Sequence, residues 1–123
     1  MRINLWQYLI FGVAYSKEER HIEWLAIFRL VESNLSFFSF VGRPFVVDLI
    51  NSGAATFRSA TINSRDKSFA IGATVHVYDG EFLTTSPDKS ESNNLENLPE
   101  FVMPDDDIDE AAIKAFPILF RLQ

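Results

Sequence analysis

The sequence predicts an α+β domain: a mostly antiparallel sheet of about five strands with two or three helices, one of them C-terminal. Three observations carry this. Short apolar segments between residues 21 and 85 alternate with clusters of turn residues. Asp79-Gly80, the strongest local turn signal, lies between two of them. A stretch from Pro104 to Phe116 has the cap and the periodicity of an amphipathic helix.

Taken in order, Ile3 to Val13 places Ile3, Trp6, Ile10 and Val13 at helical spacing, with Leu5 and Leu9 beside them. A first helix is the reading adopted, although the alternation of Leu5, Leu9, Phe11 and Val13 also permits a buried strand. His21–Val31 reads as a strand, Glu32–Asn34 as a turn and Leu35–Val41 as the return strand. Simple parity puts Leu35, Phe37 and Ser39 on one face and Ser36, Phe38 and Phe40 on the other. Pro44–Ser52 is a two-turn helix closed by Gly53, since proline is harmless at a helix start and glycine tolerates the left-handed closing conformation. Thr56–Ile62 is a strand and 63–67 a polar loop. Phe69–Tyr78 reads as one long strand, with Gly72 marking a bulge or a close backbone approach. Glu81–Thr85 returns after Asp79-Gly80. Residues 86–97 have the composition of a surface loop, with Leu95 and Leu98 as pins and Pro99 setting the exit. Asp107 and Glu110 have capping-box spacing. Ile108, Ala112 and Phe116 then share one face of the C-terminal helix, with Ala111 and Ala115 beside it.

Size agrees with a single domain spanning 1–123. The chain is 47% apolar, enough to fill one core, and 23% charged, ordinary for a globular protein. It has no cysteine, which removes thiol chemistry and cysteine-held metals and favours a reducing compartment, so a cytoplasmic location is expected. Eleven basic residues stand against seventeen acidic ones, a net charge of −6, which argues against a nucleic-acid partner. The apolar run at 3–15 is shorter than the about 20 residues a bilayer requires, so no membrane span is expected.

Residues 46–100 carry a resemblance. After the helix and closing glycine at Val46–Gly53 come the strand end Phe82-Leu83-Thr84-Thr85, then Pro87-Asp88, then Asn94-Leu95 with Leu98-Pro99-Glu100. This resembles a bacterial family of small domains of unknown function. The family's tail runs strand, x-L-x-T, a Pro-Asp turn and N-L-x-x-L-P. Thr84 stands where the family has arginine. The resemblance implies a fold and no activity. On physical grounds Asn94, Leu95, Leu98 and Pro99 read as a structural turn, with Asn94 bonding local backbone and the leucines anchoring one turn in an apolar groove.

No catalytic, cofactor-binding or metal-binding residue emerges, and no cofactor is expected. The two histidines, His21 and His76, are not paired by spacing. His76, near Tyr78, Asp79 and Glu81, supports the alternative of a small enzyme or ligand-binding domain with an imidazole base. Asp105, Asp107 and Asp109 suggest calcium, but a loop starting at Asp105 would hold Glu110 and Phe116 where an EF-hand needs glycine and glutamate. Phosphate loops and nucleophile elbows are absent from the sequence. The unusual feature is twelve phenylalanines with two tryptophans. A core this small does not hide them all, so Phe38, Phe40, Phe101, Phe116 and Phe120 are the candidate interface. The expected function is therefore non-catalytic contact with a protein partner, a basic one given the charge, or with a second copy of the chain. A structural subunit of an assembly is a further alternative.

Overall fold

A computed structural model describes residues 6–17, 21–63, 65–86 and 94–102. Its first element is a strand. β1 (Trp6–Tyr15) is ten residues long and buried from Leu9 to Ala14. It pairs antiparallel with β2 (Ile22–Val31), which pairs antiparallel with β3 (Asn34–Gly42). An α-helix, α1 (Arg43–Asn51), crosses back over the sheet to β4 (Ala55–Ile62), which lies parallel to β1, and β5 (Phe69–Thr74) completes the order β3-β2-β1-β4-β5. A separate ribbon pairs β6 (His76–Tyr78) with β7 (Phe82–Thr84).

The α+β class therefore holds, with a five-stranded, mostly antiparallel sheet. The helix expected at Ile3–Val13 is corrected to β1. A bulge explains the misleading periodicity. Ile10 faces Ile27 and Gly12 faces Ala26, so Phe11 is an extra residue. Tyr8 and Ile10 share one face before the bulge, and Val13 and Tyr15 share it after, which makes a two-residue period resemble a helical one. Only one α-helix stands among the described residues, not two or three. The C-terminal helix expected at 104–116 lies outside them.

α1 agrees with its expected bounds to within one residue. Gly53 closes it at φ +73°, with Gly53 N–H donating to Ile50 O and Ala54 N–H to Leu49 O, the paired bonds of a left-handed helix stop. The β6–β7 turn has Asp79 and Gly80 both at positive φ, as Asp-Gly predicts.

The expected strand Phe69–Tyr78 is broken in two. Arg58 faces Thr74 and Ala60 faces Ile71, so Gly72 and Ala73 together oppose Ser59. This second bulge reverses parity. Phe69 packs on the Leu9–Phe11–Ala60 side of the sheet, whereas Val75 and Val77 join the core on the other side. In the 63–68 turn, Asp66 accepts from both the hydroxyl and the N–H of Ser68, and these bonds lower its carboxyl pKa.

The sheet thus has two unlike faces. On the first, α1, the β6–β7 ribbon and the leucines of the 94–98 turn cover Ile10, Val13, Leu25, Ile27 and Phe57. Tyr8 stacks on Phe57 at 5.1 Å. On the second, Leu9, Phe11 and Ala60 are buried and Phe28, Leu30, Leu35 and Phe69 are partly covered. Phe38 and Phe40 are about half exposed.

The Gly72 bulge gives a direct test. A Cβ there would lie 2.5 Å from Ser59 Oγ and 3.2 Å from Ser59 O. Gly72→Ala is expected to destabilise the domain by about 2 kcal/mol in urea unfolding, a typical overpacking cost. Gly53→Ala, where the space is open but φ is positive, is expected to cost about 1 kcal/mol.

Candidate functional site

Two hollows, one turn and one sheet margin could carry function. The smaller hollow, about 60 Å³, lies between Tyr15, His21, Arg43, Tyr78, Phe82 and Glu96. Its chemistry is largely used up by structure. His21 stacks on Phe82 at 4.2 Å. Arg43 Nε donates to Ile22 O at 2.7 Å and its terminal nitrogen to Glu81 O at 2.5 Å, while its guanidinium lies over Phe82. These bonds tie the start of β2 to the β6–β7 ribbon. The second hollow, about 200 Å³, runs between β4–β5 and the 94–98 turn and is lined mainly by small residues. His76 is exposed on β6 and lines neither hollow. Among the described residues no group of three or more histidine or acidic side chains could hold a metal ion.

Asn94, Leu95, Leu98 and Pro99 lie together around one short turn. Asn94–Asn97 is a 3-10 turn. Leu95 and Leu98 are buried in the first-face core, so this end of the expected surface loop is packed. The bond at Asn94 comes from its backbone N–H, which donates to Thr85 Oγ1 at 2.6 Å, rather than from its side chain. Pro99 O then accepts from Val13 N–H at 3.1 Å, and Phe101 N–H donates to Val13 O at 3.0 Å. Pairing of β1 with β4 ends at Ile10–Ser59, and residues 99–101 take over that side of β1.

This crossing brings three of the five candidate phenylalanines close together, and two of them lie outside the described residues. Gly12, Ala26 and Phe40 form one row across β1, β2 and β3. The Phe101 ring sits over Gly12 in that row. A Cβ on Gly12 would be 3.4 Å from the ring, and the ring centroid is 5.0 Å from that of Phe40. Phe40 meets Phe38 at 5.0 Å, Phe38 meets Phe28 at 4.9 Å, and Phe28 meets Phe11 edge-on at 5.3 Å. Phe38, Phe40 and Phe101 are thus members of one aromatic row on the second face. Phe116 and Phe120 are the two outside. No family model, curated protein or solved structure matches the chain.

The margin formed by β3 holds residues that parity did not single out. A third bulge sits here: Phe28 faces Phe38 and Arg29 faces Ser36, leaving Phe37 extra at φ +45°. Leu35 therefore joins Phe38 and Phe40 on the second face, contrary to simple alternation. Phe37 is 59% exposed. The Arg29 guanidinium lies 4.6 Å from the Trp6 ring centroid and 6.0 Å from that of Phe37, and its Nε is buried without a hydrogen-bond partner. Trp6, itself 55% exposed, was hidden by the helical reading of β1. No sequence signal identifies this trio, because it depends on a register that the bulge sets.

Leu95 tests the turn. Leu95→Ala is expected to lower unfolding free energy by about 3 kcal/mol, as for a fully buried leucine. Glu96→Ala, exposed in the same turn, is expected to leave it within about 0.5 kcal/mol.

Proposed function

We propose that this chain is a non-catalytic protein-interaction domain that takes a protein partner or a second copy along the β3 margin of its sheet. The observation that carries the reading is β3 itself. It is a nine-residue edge strand with no charged residue and no proline, and among the described residues nothing pairs with its outer side. Edge strands are normally guarded by lysine, proline, a bulge, short length or a covering element. Among the described residues the Phe37 bulge is the one such guard on β3, and a strand so lightly guarded is suited to accept a strand from another chain. The opposite edge, β5, is flanked by the 94–98 turn, and Arg58 donates to Gly72 O there. The bulge at Phe37 limits regular pairing to Phe38–Gly42 and leaves Phe37 exposed beside Arg29 and Trp6. Tryptophan and arginine are the side chains most often found at the energetic centre of interfaces.

Charge bears on the partner. A chain of net charge −6 resists self-association more than it resists a basic partner, and it steers a basic partner in at low salt. A structural subunit of an assembly would use the same edge repeatedly, growing beyond a dimer. The reading includes cytoplasmic residence, which the lack of cysteine supports. It also includes the likeness of residues 46–100 to a bacterial family of unknown function, which adds no activity. No helix among the described residues is long and apolar enough to cross a membrane.

Light scattering of the full chain over a concentration series, with identification of any protein co-purified from the native cell, tests the reading. The expected result is a dimer or a stoichiometric partner complex that Phe37→Lys weakens by about tenfold, with unfolding unchanged because Phe37 is exposed. A monomer with no partner, or an association indifferent to Phe37→Lys, would overturn it.

A further inference from the structure

Arg29 is a cation that the sheet holds in place without giving its Nε an acceptor. Its row runs from Tyr8 on β1 through Arg29 on β2 to Ser36 on β3. Tyr8 packs on the first-face core, so the row lies on that face. The Nε of Arg29 is buried without a hydrogen-bond partner. Its guanidinium instead stands 4.6 Å from the Trp6 ring centroid and 6.0 Å from that of Phe37. Ring faces attract a cation but do not replace an oxygen acceptor, so this group loses water without full compensation. Arg43 and Arg58, by contrast, both donate to backbone carbonyls.

We propose that Arg29 binds a carboxylate, the acidic side chain of a partner segment added alongside β3. The inference rests on the β3 reading and names the chemistry of the partner at one end of that edge. A guanidinium presents paired N–H groups that match the two oxygens of a carboxylate. Partial burial strengthens the attraction relative to open water. Ser36, the β3 member of the row, is short and exposed, so it does not wall the row off on its outer side. An added strand lies two strand spacings from β2, about 10 Å, a gap that an arginine and an acidic side chain close from opposite sides.

The bulge sets where this contact falls. Regular pairing on β3 starts at Phe38, so at the level of Ser36 recognition passes from backbone to side chains. The net charge of −6 still favours a partner that is basic overall. Arg29 asks for one acid within it, and repels a segment that places lysine or arginine there, which fixes register as well as identity.

The side-chain Nε–Hε signals of the arginines in the ¹⁵N-labelled full chain read this directly. Sodium acetate is titrated with ionic strength held constant by sodium chloride. The Arg29 signal is expected to shift saturably at about tenfold lower concentration than that of exposed Arg65, while uncharged propionamide leaves it unmoved. A capped Glu-Thr-Val-Thr-Val-Glu peptide, acidic at both ends so that either strand direction serves, is expected to shift Arg29 together with the amides of Phe38–Gly42. Its glutamine counterpart is expected to bind about tenfold more weakly. Arg29→Lys keeps the charge and loses the fork, and is expected to abolish that preference while the dispersed spectrum of the sheet persists.

An Arg29 signal no more responsive than that of Arg65 would overturn the proposal. So would saturation by inorganic phosphate below the acetate concentration, which would assign the site to a phosphoryl group. Equal binding of the two peptides, with the β3 amides moving, overturns this inference alone and leaves the edge reading standing. An acetate response at Arg29 with β3 amides unmoved by either peptide overturns the strand addition on which both depend.

Discussion

Everything in this fold depends on the hydrogen bonding of β1. A central strand buried on both faces must satisfy its backbone on both sides, because an unpaired buried amide costs free energy comparable to a lost hydrogen bond. β2 satisfies one side along the whole strand. On the other side β4 reaches only to Ile10, and Pro99 and Phe101 complete the work at Val13. A segment more than eighty residues downstream thus closes the sheet. The 94–98 turn exists to deliver it, with Leu95 and Leu98 buried so that Pro99 arrives in register. The same closure sets Phe101 on the second face, where Gly12 leaves room for its ring.

Much of the fold was legible because its turns carry explicit chemistry. Gly53 after a proline-led helix, Asp79-Gly80 between alternating segments, and paired leucines ahead of Pro99 each announce a backbone conformation that few other residues provide. The failures within the strands share one cause. Bulges at Phe11, at Phe37 and at Gly72–Ala73 each insert one residue and reverse which parity faces the core. At Phe11 the insertion made a strand read as a helix. At Phe37 it moved Leu35 to the face of Phe38 and exposed an aromatic ring beside Arg29. At Gly72 it split one strand into two that serve different cores. Local pattern cannot foresee such insertions, since they are decided by which residue on the neighbouring strand each one meets.

The candidate site was legible in part for the same reason. Of the phenylalanines singled out, Phe38 and Phe40 are about half exposed, and Phe38, Phe40 and Phe101 lie close together. Trp6, Arg29 and Phe37 could not be read, because they are distant in sequence and meet only through the register of three strands. The second face carries an aromatic row whose Phe11 end is buried and whose Phe38 and Phe40 are about half exposed. On the β3 margin nothing among the described residues pairs with the outer backbone, and the Arg29 guanidinium lies near the Trp6 and Phe37 rings. The described residues show no comparable concentration of acid–base groups.

Native-state hydrogen exchange at Val13 and Phe101 tests the central claim most directly. If residues 99–101 close the sheet, both amides exchange as slowly as those of Leu25 and Ile27, through global unfolding. Rapid exchange at both, at the rate of the exposed 65–68 turn, would mean that β1 is open on that side and would contradict the account.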